Sequence, residues 1–494
     1  MSLKLYVCGP TVYLDSHLGH ARTYIVTDLI NRAMNNLLNK PTTLVMNITD
    51  IDDKIINRAK SLNVKWQVLA AEMEDAFWDD MMHLNVRFPD EIIRVTEVIP
   101  DIVAYIQKIF DNGFGYLTSD GSVYFDSQAY EAAGYSFDSS EFELEPESGL
   151  GPKPEMGSNS NSELTSKKKP ADFALWKGRA LSDVGFQVEF HDSLNKYKSY
   201  GVPGWHIECS TMIHKTLSSN IDIHLGGVDL KFPHHHNERL QANAYYHPEF
   251  LDKKLPWSPT FYHTGHLCIK GLKMSKSLKN FTTIKDSLKD VTSNQLRLMF
   301  MSHNWRNEMD YSDNTVSEAL VLDVTLTNFF RRVVNFPFKR ANIKLSKLKE
   351  YWVTVVMKNV QTHLENLDFH LLIADITDLI KLVHSDLDTG ESNESNVRAI
   401  SDWISNILSN LGLDYTTSAE ASISKDLTPG IMKSVVETRT ALRDVLRDPE
   451  LKSELSKAVK TRIFTVLDHW RDVSLKAAGI SLQDTKDSSS WYLI

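Results

Sequence analysis

The chain has 494 residues, of which 42% are hydrophobic and 24% are charged, and its formal net charge at pH 7 is −10. This length allows two to four domains with sizeable cores, and no uninterrupted apolar run approaches the roughly 20 residues of a membrane helix, so we expect a soluble globular protein. The negative net charge gives no indication of a nucleic-acid partner over the whole surface, so any contact with RNA must be local.

The first predicted strand ends at a thiol group. Leu3, Leu5 and Val7 alternate with other residues, as in a half-buried strand, and the turn that ends the strand begins at Cys8. From His17 onward the apolar residues recur at helical spacing, which predicts a helix. A strand, a loop with a glycine and a helix N-terminus are typical of a phosphate site, because free N–H groups and the positive end of the helix dipole face the loop.

Two histidines support this prediction of a phosphate site. His17 and His20 lie three residues apart around Gly19, so both imidazoles can lean toward the same phosphates. Gly19 would let an adenine ring lie against bare backbone. By itself, however, the pair can equally be two surface histidines at the start of a helix.

Further along the chain, predicted strands and helices alternate. Residues 43–49 predict a buried strand, and together with the first strand and helix they indicate a parallel Rossmann-like sheet, in which ligands lie at the carboxyl ends of the strands. Residues 59–114 have a helical pattern, and residues 123–125 predict a short strand. Residues 145–170 have almost no apolar content, which predicts a disordered loop inside an insertion.

Two pairs of residues at predicted helix starts offer metal ligands. Trp205 and Cys209 lie four residues apart, as do His234 and Glu238, so the two residues of each pair lie on the same face of a helix. Cys8 adds a second thiol to this set. Two cysteines, one histidine and one glutamate suit zinc, which accepts sulfur, nitrogen and oxygen ligands. From spacing alone, buried apolar cysteines and a polar helix end explain the same residues, so both interpretations stay open.

A second motif, which contains two lysines, lies far downstream of the two histidines. The motif His17-Leu-Gly-His20 resembles the HIGH signature of class I aminoacyl-tRNA synthetases. Further along the chain, Lys273-Met-Ser-Lys-Ser277 resembles their KMSKS signature. The segment Asn47-Ile-Thr-Asp-Ile-Asp-Asp-Lys54 matches a block of the cysteinyl-tRNA synthetases within that class. The resemblance to this family covers nearly the whole chain.

The resemblance implies a fold and a reaction. The implied fold is an α/β Rossmann-like catalytic domain with an insertion, followed by a mainly α-helical C-terminal anticodon-binding region. The implied reaction joins cysteine to the 3′ end of tRNA(Cys) with ATP, which carries Mg²⁺, through a cysteinyl-adenylate. In this family His17, His20, Lys273 and Lys276 would be catalytic, and these four residues with Gly19 would bind ATP.

The resemblance also implies a metal site and a substrate pocket. The four matching zinc ligands are Cys8, Cys209, His234 and Glu238. The matching substrate contacts are Thr11, Thr49, Trp205, His224 and Asp229.

The implied zinc ion would help the protein to distinguish a substrate thiol from an alcohol. Shape alone discriminates between small groups by only about 1–3 kcal/mol, whereas an error rate of one in 10⁴ needs roughly 5.5 kcal/mol. A thiol ionises on zinc far more readily than an alcohol does, so our hypothesis is that the substrate thiolate binds one zinc ion directly. His236 stands where the family usually has an acidic residue, and we expect it to tune local charge without loss of the metal.

The domain boundaries follow from these motifs. We expect the first half of the catalytic domain at 1–106, the insertion at 107–184 and the second half with the zinc ligands at 185–270. The connector with the signature lysines would span 271–330, a helical bundle 331–415 and the anticodon-binding region 416–494.

Asp484 and Trp491 align with anticodon contacts of the family. The basic residues between Arg331 and Lys349 suit an RNA backbone, although such a run is normally a solvated helix face.

Other properties and alternatives complete the prediction. Three scattered cysteines do not form a disulfide framework and no signal peptide precedes the first strand, so we expect a cytoplasmic location. Only seven residues precede Cys8, fewer than in the family, which implies a misplaced start or a sheet that lacks an edge segment. We expect a monomer or a dimer. The alternatives are a ligase that joins activated cysteine to an amino-sugar and a non-catalytic RNA- or zinc-binding paralogue.

Overall fold

The computed structural model describes most of the chain. The described residues are 2–137, 167–192, 194–249, 257, 259–269, 271–273, 281–338, 347–389, 392–415, 480–484 and 489–493. Most of the predicted disordered loop lies outside them, as does most of the predicted anticodon-binding region. The chain divides into two compact units, one formed by Met1–Asp323, Leu345–Leu382 and Asn406–Leu413, and the other by Val324–Lys344, Val383–Ser405 and Asp414–Ile494.

Strands and helices alternate through the first unit, and helices follow. The strands are β1 (Leu3–Val7), β2 (Thr42–Ile48), β3 (Glu91–Arg94), β4 (Gly115–Leu117), β5 (Val123–Phe125), β6 (Ala174–Gly178), β7 (Phe186–His191), β8 (Lys196–Pro203), β9 (Ile223–Gly227), β10 (Thr260–Thr264), β11 (Leu267–Ile269), β12 (Leu272–Lys273), β13 (Met309–Asp310), β14 (Ile480–Asp484) and β15 (Ser489–Leu493). The helices are α1 (Leu18–Arg32), α2 (Asp53–Leu62), α3 (Trp66–His83), α4 (Ile99–Asp111), α5 (Ser127–Ala132), α6 (Trp205–Leu217), α7 (His236–Tyr245), α8 (Ile284–Ser287), α9 (Ser293–Met301), α10 (Asp313–Asn335), α11 (Lys347–Tyr351), α12 (Met357–Glu365), α13 (Phe369–Asp388) and α14 (Glu394–Asn410). No helix among the described residues is both long and apolar enough to cross a membrane.

A parallel sheet with the strand order β10-β9-β1-β2-β3 lies at the centre of the first unit. β1 pairs in parallel with β2 on one side and with β9 on the other, so that Leu5 lies opposite both Leu44 and Ile223. The chain therefore leaves β1 toward β2 and returns later to its other edge. This reversal of strand order creates a crevice at the carboxyl ends of β1 and β9, where open α/β sheets bind their ligands. The predicted Rossmann-like sheet is confirmed.

One strand of this sheet was missed by the helical pattern predicted for residues 59–114. β3 has only four residues, and of these only Ile93 is buried. It pairs with β2 alone and forms an edge of the sheet. A short edge strand with charged residues at both ends carries too little apolar alternation to interrupt the helical pattern on either side.

The insertion forms an antiparallel sheet of its own. Its strand order is β4-β5-β6-β8-β7, and the predicted strand at 123–125 is β5. Trp176 and Phe190 are fully buried in its core. The last two strands of this sheet, β7 and β8, lie beyond the predicted boundary at residue 184, and β8 runs directly into α6.

The second unit contains helical segments and a hairpin. Within it, Arg332 donates to Nδ1 of His384 at 3.0 Å and pairs with Asp388. Strands β14 and β15 pair antiparallel, with Leu482 opposite Trp491.

A buried ion pair fastens α1 to α9 in the first unit. Oδ2 of Asp28 lies 2.7 Å from Nε of Arg32 and 2.7 Å from Nη1 of Arg297. Asp28 and Arg297 are almost fully buried. Nη1 of Arg297 also donates to the carbonyl of Leu411 at 3.1 Å, and Nη2 donates to the carbonyl of Asn85 at 2.8 Å. The first unit thus depends on one carboxylate that balances two buried cations.

We predict that Asp28→Asn lowers the free energy of unfolding by about 3–5 kcal/mol, because it leaves buried guanidinium charge without its counter-ion. The loss would appear as a lower denaturation midpoint in urea. The control is Glu394→Gln, which removes an exposed pair with Arg398 and should cost no more than about 0.5 kcal/mol. Equal midpoints for the two variants would contradict the prediction.

Candidate active site and metal centre

A cavity of about 420 Å³ opens at the crevice of the parallel sheet. Its walls come from the end of β1, the first turn of α1, the end of β2, the start of α6 and the segments after β9 and β10. The sequence-predicted residues that line it are Cys8, Thr11, His17, Gly19, His20, Thr49, Trp205, Cys209, Asp229 and His234. Predicted residues as far apart in sequence as Cys8 and His234 therefore meet around one space.

The neighbouring strands on both sides hold Cys8 in place. Its N–H donates to the carbonyl of Leu225 in β9 at 3.1 Å. The next N–H, that of Gly9, donates to Oδ1 of Asn47 in β2 at 2.9 Å. A Cβ on Gly9 would lie only 1.6 Å from the carbonyl oxygen of Asn47, so only glycine allows this close approach. The first thiol thus stands at a fixed point at the end of the central strand.

The other predicted ligands start on two segments that face this point. Helix α6 begins at Trp205 and presents Cys209 one turn later, as predicted. Phe232 has an extended backbone, with φ −136° and ψ 134°, so the helical turn that carries His234 starts afresh at Pro233 and continues into α7 with Glu238. An extended residue before proline is the favoured conformation.

The four predicted metal ligands converge. One ligand atom each from Cys8, Cys209, His234 and Glu238 lies within 4.8 Å of all the others, and all four residues are buried. The two sulfur atoms are 3.8 Å apart, and Nε2 of His234 is 2.9 Å from Oε1 of Glu238. Two sulfurs bound to one tetrahedral zinc at about 2.3 Å each would lie about 3.8 Å apart. The donor set and its spacing therefore fit zinc.

Outer contacts orient these ligands. Nε2 of His224 lies 2.9 Å from Oε2 of Glu238, which leaves Oε1 directed toward the other three ligands. Nδ1 of His206 lies 2.9 Å from Nδ1 of His234, so the opposite ring nitrogen faces the cluster. Such second contacts fix the ring orientation and tautomer of a ligand histidine. His224 was predicted as a pocket wall, but it is fully buried behind Glu238 and does not line the cavity.

The ionisation of the cluster favours a cation. A hydrogen bond from Cys8, followed by the nearby His234, lowers the pKa of Cys209 to about 6, against the effect of burial, while burial raises the pKa of Cys8 well above its usual value. Burial opposes charge on His234 and Glu238, but their mutual attraction and hydrogen bond contribute to raising the pKa of His234 to about 10 and lowering that of Glu238 to about 2. At neutral pH the cluster therefore holds a thiolate and a carboxylate around an imidazolium.

Sequence reasoning missed His235. Its Nε2 lies 3.4 Å from Sγ of Cys8, and its Nδ1 lies 2.8 Å from Nε2 of His263. Together with Cys8, His224 and Glu238 it forms a second set of potential ligand atoms within 4.8 Å. The run of three histidines was a signal, but nothing in the spacing shows that the middle ring turns toward β1. His236 points elsewhere, since its ring packs against Phe137 and Phe232.

The two histidines of the first motif form the start of α1. His17 is the N-cap, and its Nδ1 accepts from the N–H of His20 at 3.4 Å, while Nδ1 of His20 accepts from the N–H of His17 at 3.4 Å. The two rings stack at a centroid distance of 3.9 Å. Because each Nδ1 accepts, a neutral ring carries its proton on Nε2 and can donate it to an anion. A Cβ on Gly19 would lie 2.9 Å from the His17 ring, which only glycine avoids.

The remaining predicted contacts lie around the same cavity. Thr11 and Thr49 pair across a parallel bridge that extends β1 and β2. Oγ1 of Thr49 donates to Glu208 at 3.4 Å, and burial raises the pKa of Glu208 well above its usual value. The ring of Trp205 packs against that of His234 at 4.4 Å. Asp229 follows β9, which lies on the side of β1 away from β2, and it lines the cavity.

Four predicted residues lie where their side chains are not described. Lys273 belongs to β12, which pairs with β11 so that Lys273 lies opposite Cys268. Lys276 lies outside the described residues. Asp484 and Trp491 belong to the strands of the β14–β15 hairpin. Cys268 is a buried strand residue, as its pattern predicted.

Comparison with known proteins agrees with this architecture. The family model described as "tRNA synthetases class I (C) catalytic domain" matches residues 1–321. The structure of Mycobacterium tuberculosis methionyl-tRNA synthetase in complex with methionyl-adenylate covers 84% of this chain and 90% of its own with a TM-score of 0.55, and at 17% identity it shows a shared fold. The chain belongs to the class I aminoacyl-tRNA synthetases, which are ligases.

Relatives at higher identity narrow this class to one family. The cysteine--tRNA ligase of Acanthamoeba polyphaga mimivirus is 48% identical over 99% of this chain and 96% of its own length. The cytoplasmic cysteine--tRNA ligase of Dictyostelium discoideum is 37% identical over 99% of this chain and 74% of its own length. Within its class the chain is a member of the cysteine--tRNA ligase family.

We predict that zinc binding releases about two protons per ion at pH 7, because Cys8 and His234 hold protons there while Cys209 and Glu238 do not. Affinity should therefore rise about 100-fold for each pH unit near neutrality and fall more steeply below about pH 6, where Cys209 also gains a proton. Calorimetry in buffers of different ionisation enthalpy measures the release. Cys268→Ser is the control that should behave like the unmodified protein. Zinc uptake without proton release would refute the ligand set.

Proposed function

We propose that the protein activates cysteine with ATP to cysteinyl-adenylate and transfers the cysteinyl group to the 3′ end of tRNA(Cys). The observation that carries this proposal is that one cavity is lined both by the thiols of Cys8 and Cys209 and by the stacked pair His17 and His20. A site for a soft cation and a site for phosphates thus lie within reach of one small molecule. The identity with full-length cysteine--tRNA ligases supports the same reaction.

In the activation step, the proposed role of His17 and His20 is to hold ATP. Their Nε2–H groups and the positive end of the α1 dipole stabilise the charge that builds up on the α-phosphate, with Gly19 against the nucleotide. Mg²⁺ accompanies the ATP phosphates, and Lys273 and Lys276 neutralise the transition state. No general base is required, because the attacking carboxylate, with a pKa of about 3.5, is already ionised.

In the recognition step, the proposed zinc ligands are Cys8, Cys209, His234 and Glu238. When bound, zinc supplies a soft Lewis acid that favours sulfur over oxygen as a ligand. The protein orients that site through His224 behind Glu238 and through the ring of Trp205 beside His234.

The rest of cysteine is proposed to contact three further residues. Asp229 is suited to the substrate ammonium, since a carboxylate at the cavity wall offers the opposite charge. Thr11 and Thr49 supply hydroxyl groups at the ends of β1 and β2.

The tRNA is proposed to contact the C-terminal part of the chain. Asp484 can accept from a base amino group and Trp491 can stack on a base, and these two residues lie on paired strands. The domain boundaries at 106, 184, 270, 330 and 415 are retained as a proposal. So are a cytoplasmic location, in line with the name of the Dictyostelium relative, and a monomeric or dimeric state.

Two assays test the proposed reaction. The purified protein should catalyse ATP–pyrophosphate exchange that depends on cysteine, and it should charge tRNA(Cys) with cysteine. Exchange without charging would indicate that another acceptor, such as an amino-sugar, receives the cysteinyl group. Absence of exchange would refute the proposal and leave a binding protein.

We predict that Cys209→Ser lowers kcat/KM for cysteine in the exchange assay by at least about 100-fold, since removing groups that support a metal already costs up to about 100-fold. The ratio of cysteine to serine activation should fall with it. Cys268→Ser is again the matched control, because Cys268 is equally buried but lies outside the cluster. An unchanged preference for cysteine over serine in Cys209→Ser would show that the metal does not select the substrate.

A further inference from the structure

Lys54 is a cation at the cavity to which the reaction proposed above gives no role. It lies in the first turn of α2 and lines the same cavity as Trp205 and Cys209. Its Nζ lies 5.8 Å from the centre of the Trp205 ring, near the limit of about 6 Å for a cation–π contact. The ammonium makes no hydrogen bond or ion pair with another residue that the structure describes.

The neighbouring carboxylates have other partners. Asp52 caps α2 by accepting from the backbone N–H of Lys54 at 2.7 Å. Asp53 pairs with Arg179 and lies 3.7 Å from Nζ of Lys177. The exposed ammonium of Lys54 therefore has an aromatic ring beside it and no counter-ion among the described residues, which suits an anion that arrives from solution.

The sheet places Lys54 across the cavity from the proposed phosphate site. Lys54 follows β2, and α6, which begins at Trp205, packs against β2. His17 and His20 begin α1, which packs against β9 and β10, on the other side of β1. β2 and β9 are separated by β1, and two strand spacings amount to about 10 Å.

We propose that Lys54 binds a phosphodiester group at the 3′ end of the tRNA during the transfer step. The proposal rests on the function proposed above, in which three anionic partners occur: the cysteine carboxylate, the ATP phosphates and the RNA backbone. The carboxylate attacks the α-phosphate, so both must lie at the start of α1, beside His17 and His20. Of the three anionic partners, only the RNA backbone is left to bind at the wall of the cavity that carries Lys54. The exposure of Lys54 suits a polymer that enters from solvent, and Arg179 and Lys177 lie close by, since both contact the adjacent Asp53.

Lys54→Met tests the proposal, because it keeps the apolar stem and removes the charge. Cysteine-dependent ATP–pyrophosphate exchange should stay within about twofold of the unmodified protein, whereas kcat/KM for tRNA in charging should fall by about tenfold, as expected for one lost phosphate contact. The slope of log(kcat/KM) for tRNA against log salt should decrease by about one. Lys54→Arg should restore most of the charging rate and the slope.

Lys60→Met is the matched control. Lys60 lies on the same helix and is exposed, but it pairs with Asp183 and does not line the cavity. It should change neither assay. Equal losses of exchange and charging in Lys54→Met would overturn the proposal and assign Lys54 to ATP or cysteine. Unchanged charging with an unchanged salt slope would also overturn it. Absence of exchange in the unmodified protein would instead refute the proposed function itself.

Discussion

The approach of two sulfur atoms, 3.8 Å apart although their residues are 201 positions apart in sequence, is the contact on which the site depends. Cys8 is fixed because the central strand is hydrogen-bonded on both sides and because Gly9 touches the backbone of Asn47. Cys209 is fixed because Gly204, the residue just before α6, packs so closely on β6 that a Cβ would lie 2.0 Å from the carbonyl of Ala174. Two glycines thus bring two elements closer together than any other residue would allow.

Electrostatics adds a second constraint around these thiols. Burying a thiolate and a carboxylate without a counter-charge is costly, and here an imidazolium offsets that cost. His224 and His206 then hold Glu238 and His234 in one orientation from behind. The cavity therefore has a polar, preorganised floor on one side, while the first turn of α1 provides a second polar wall with its stacked rings. In the proposed reaction, a molecule bound between them meets the proposed zinc ligands at one end and the proposed phosphate-binding histidines at the other.

Much of this could be predicted from the sequence because it depends on local periodicity. Alternation identified β1, a buried apolar run identified β2, and the spacing of four identified His234 and Glu238 as residues on one face. The features that the sequence did not predict depend on contacts between distant parts of the chain. β3 was missed because a four-residue edge strand has almost no pattern. The roles of His235 and His224 depend on how rings from different strands and turns pack, and spacing along the chain carries no information about that.

The parallel pairing of β1 has a consequence for the order in which the protein can fold during synthesis. Leu5 meets Leu44 early, but its other partner, Ile223, leaves the ribosome only after the whole insertion has been made. Until then one edge of the future central strand has no partner. Pairings between such distant segments are slow, and they leave strand edges unpaired in the meantime. The insertion, by contrast, contains antiparallel neighbours such as β7 and β8 that can pair as soon as they emerge. The nascent chain would therefore acquire its peripheral sheet before its central one is complete.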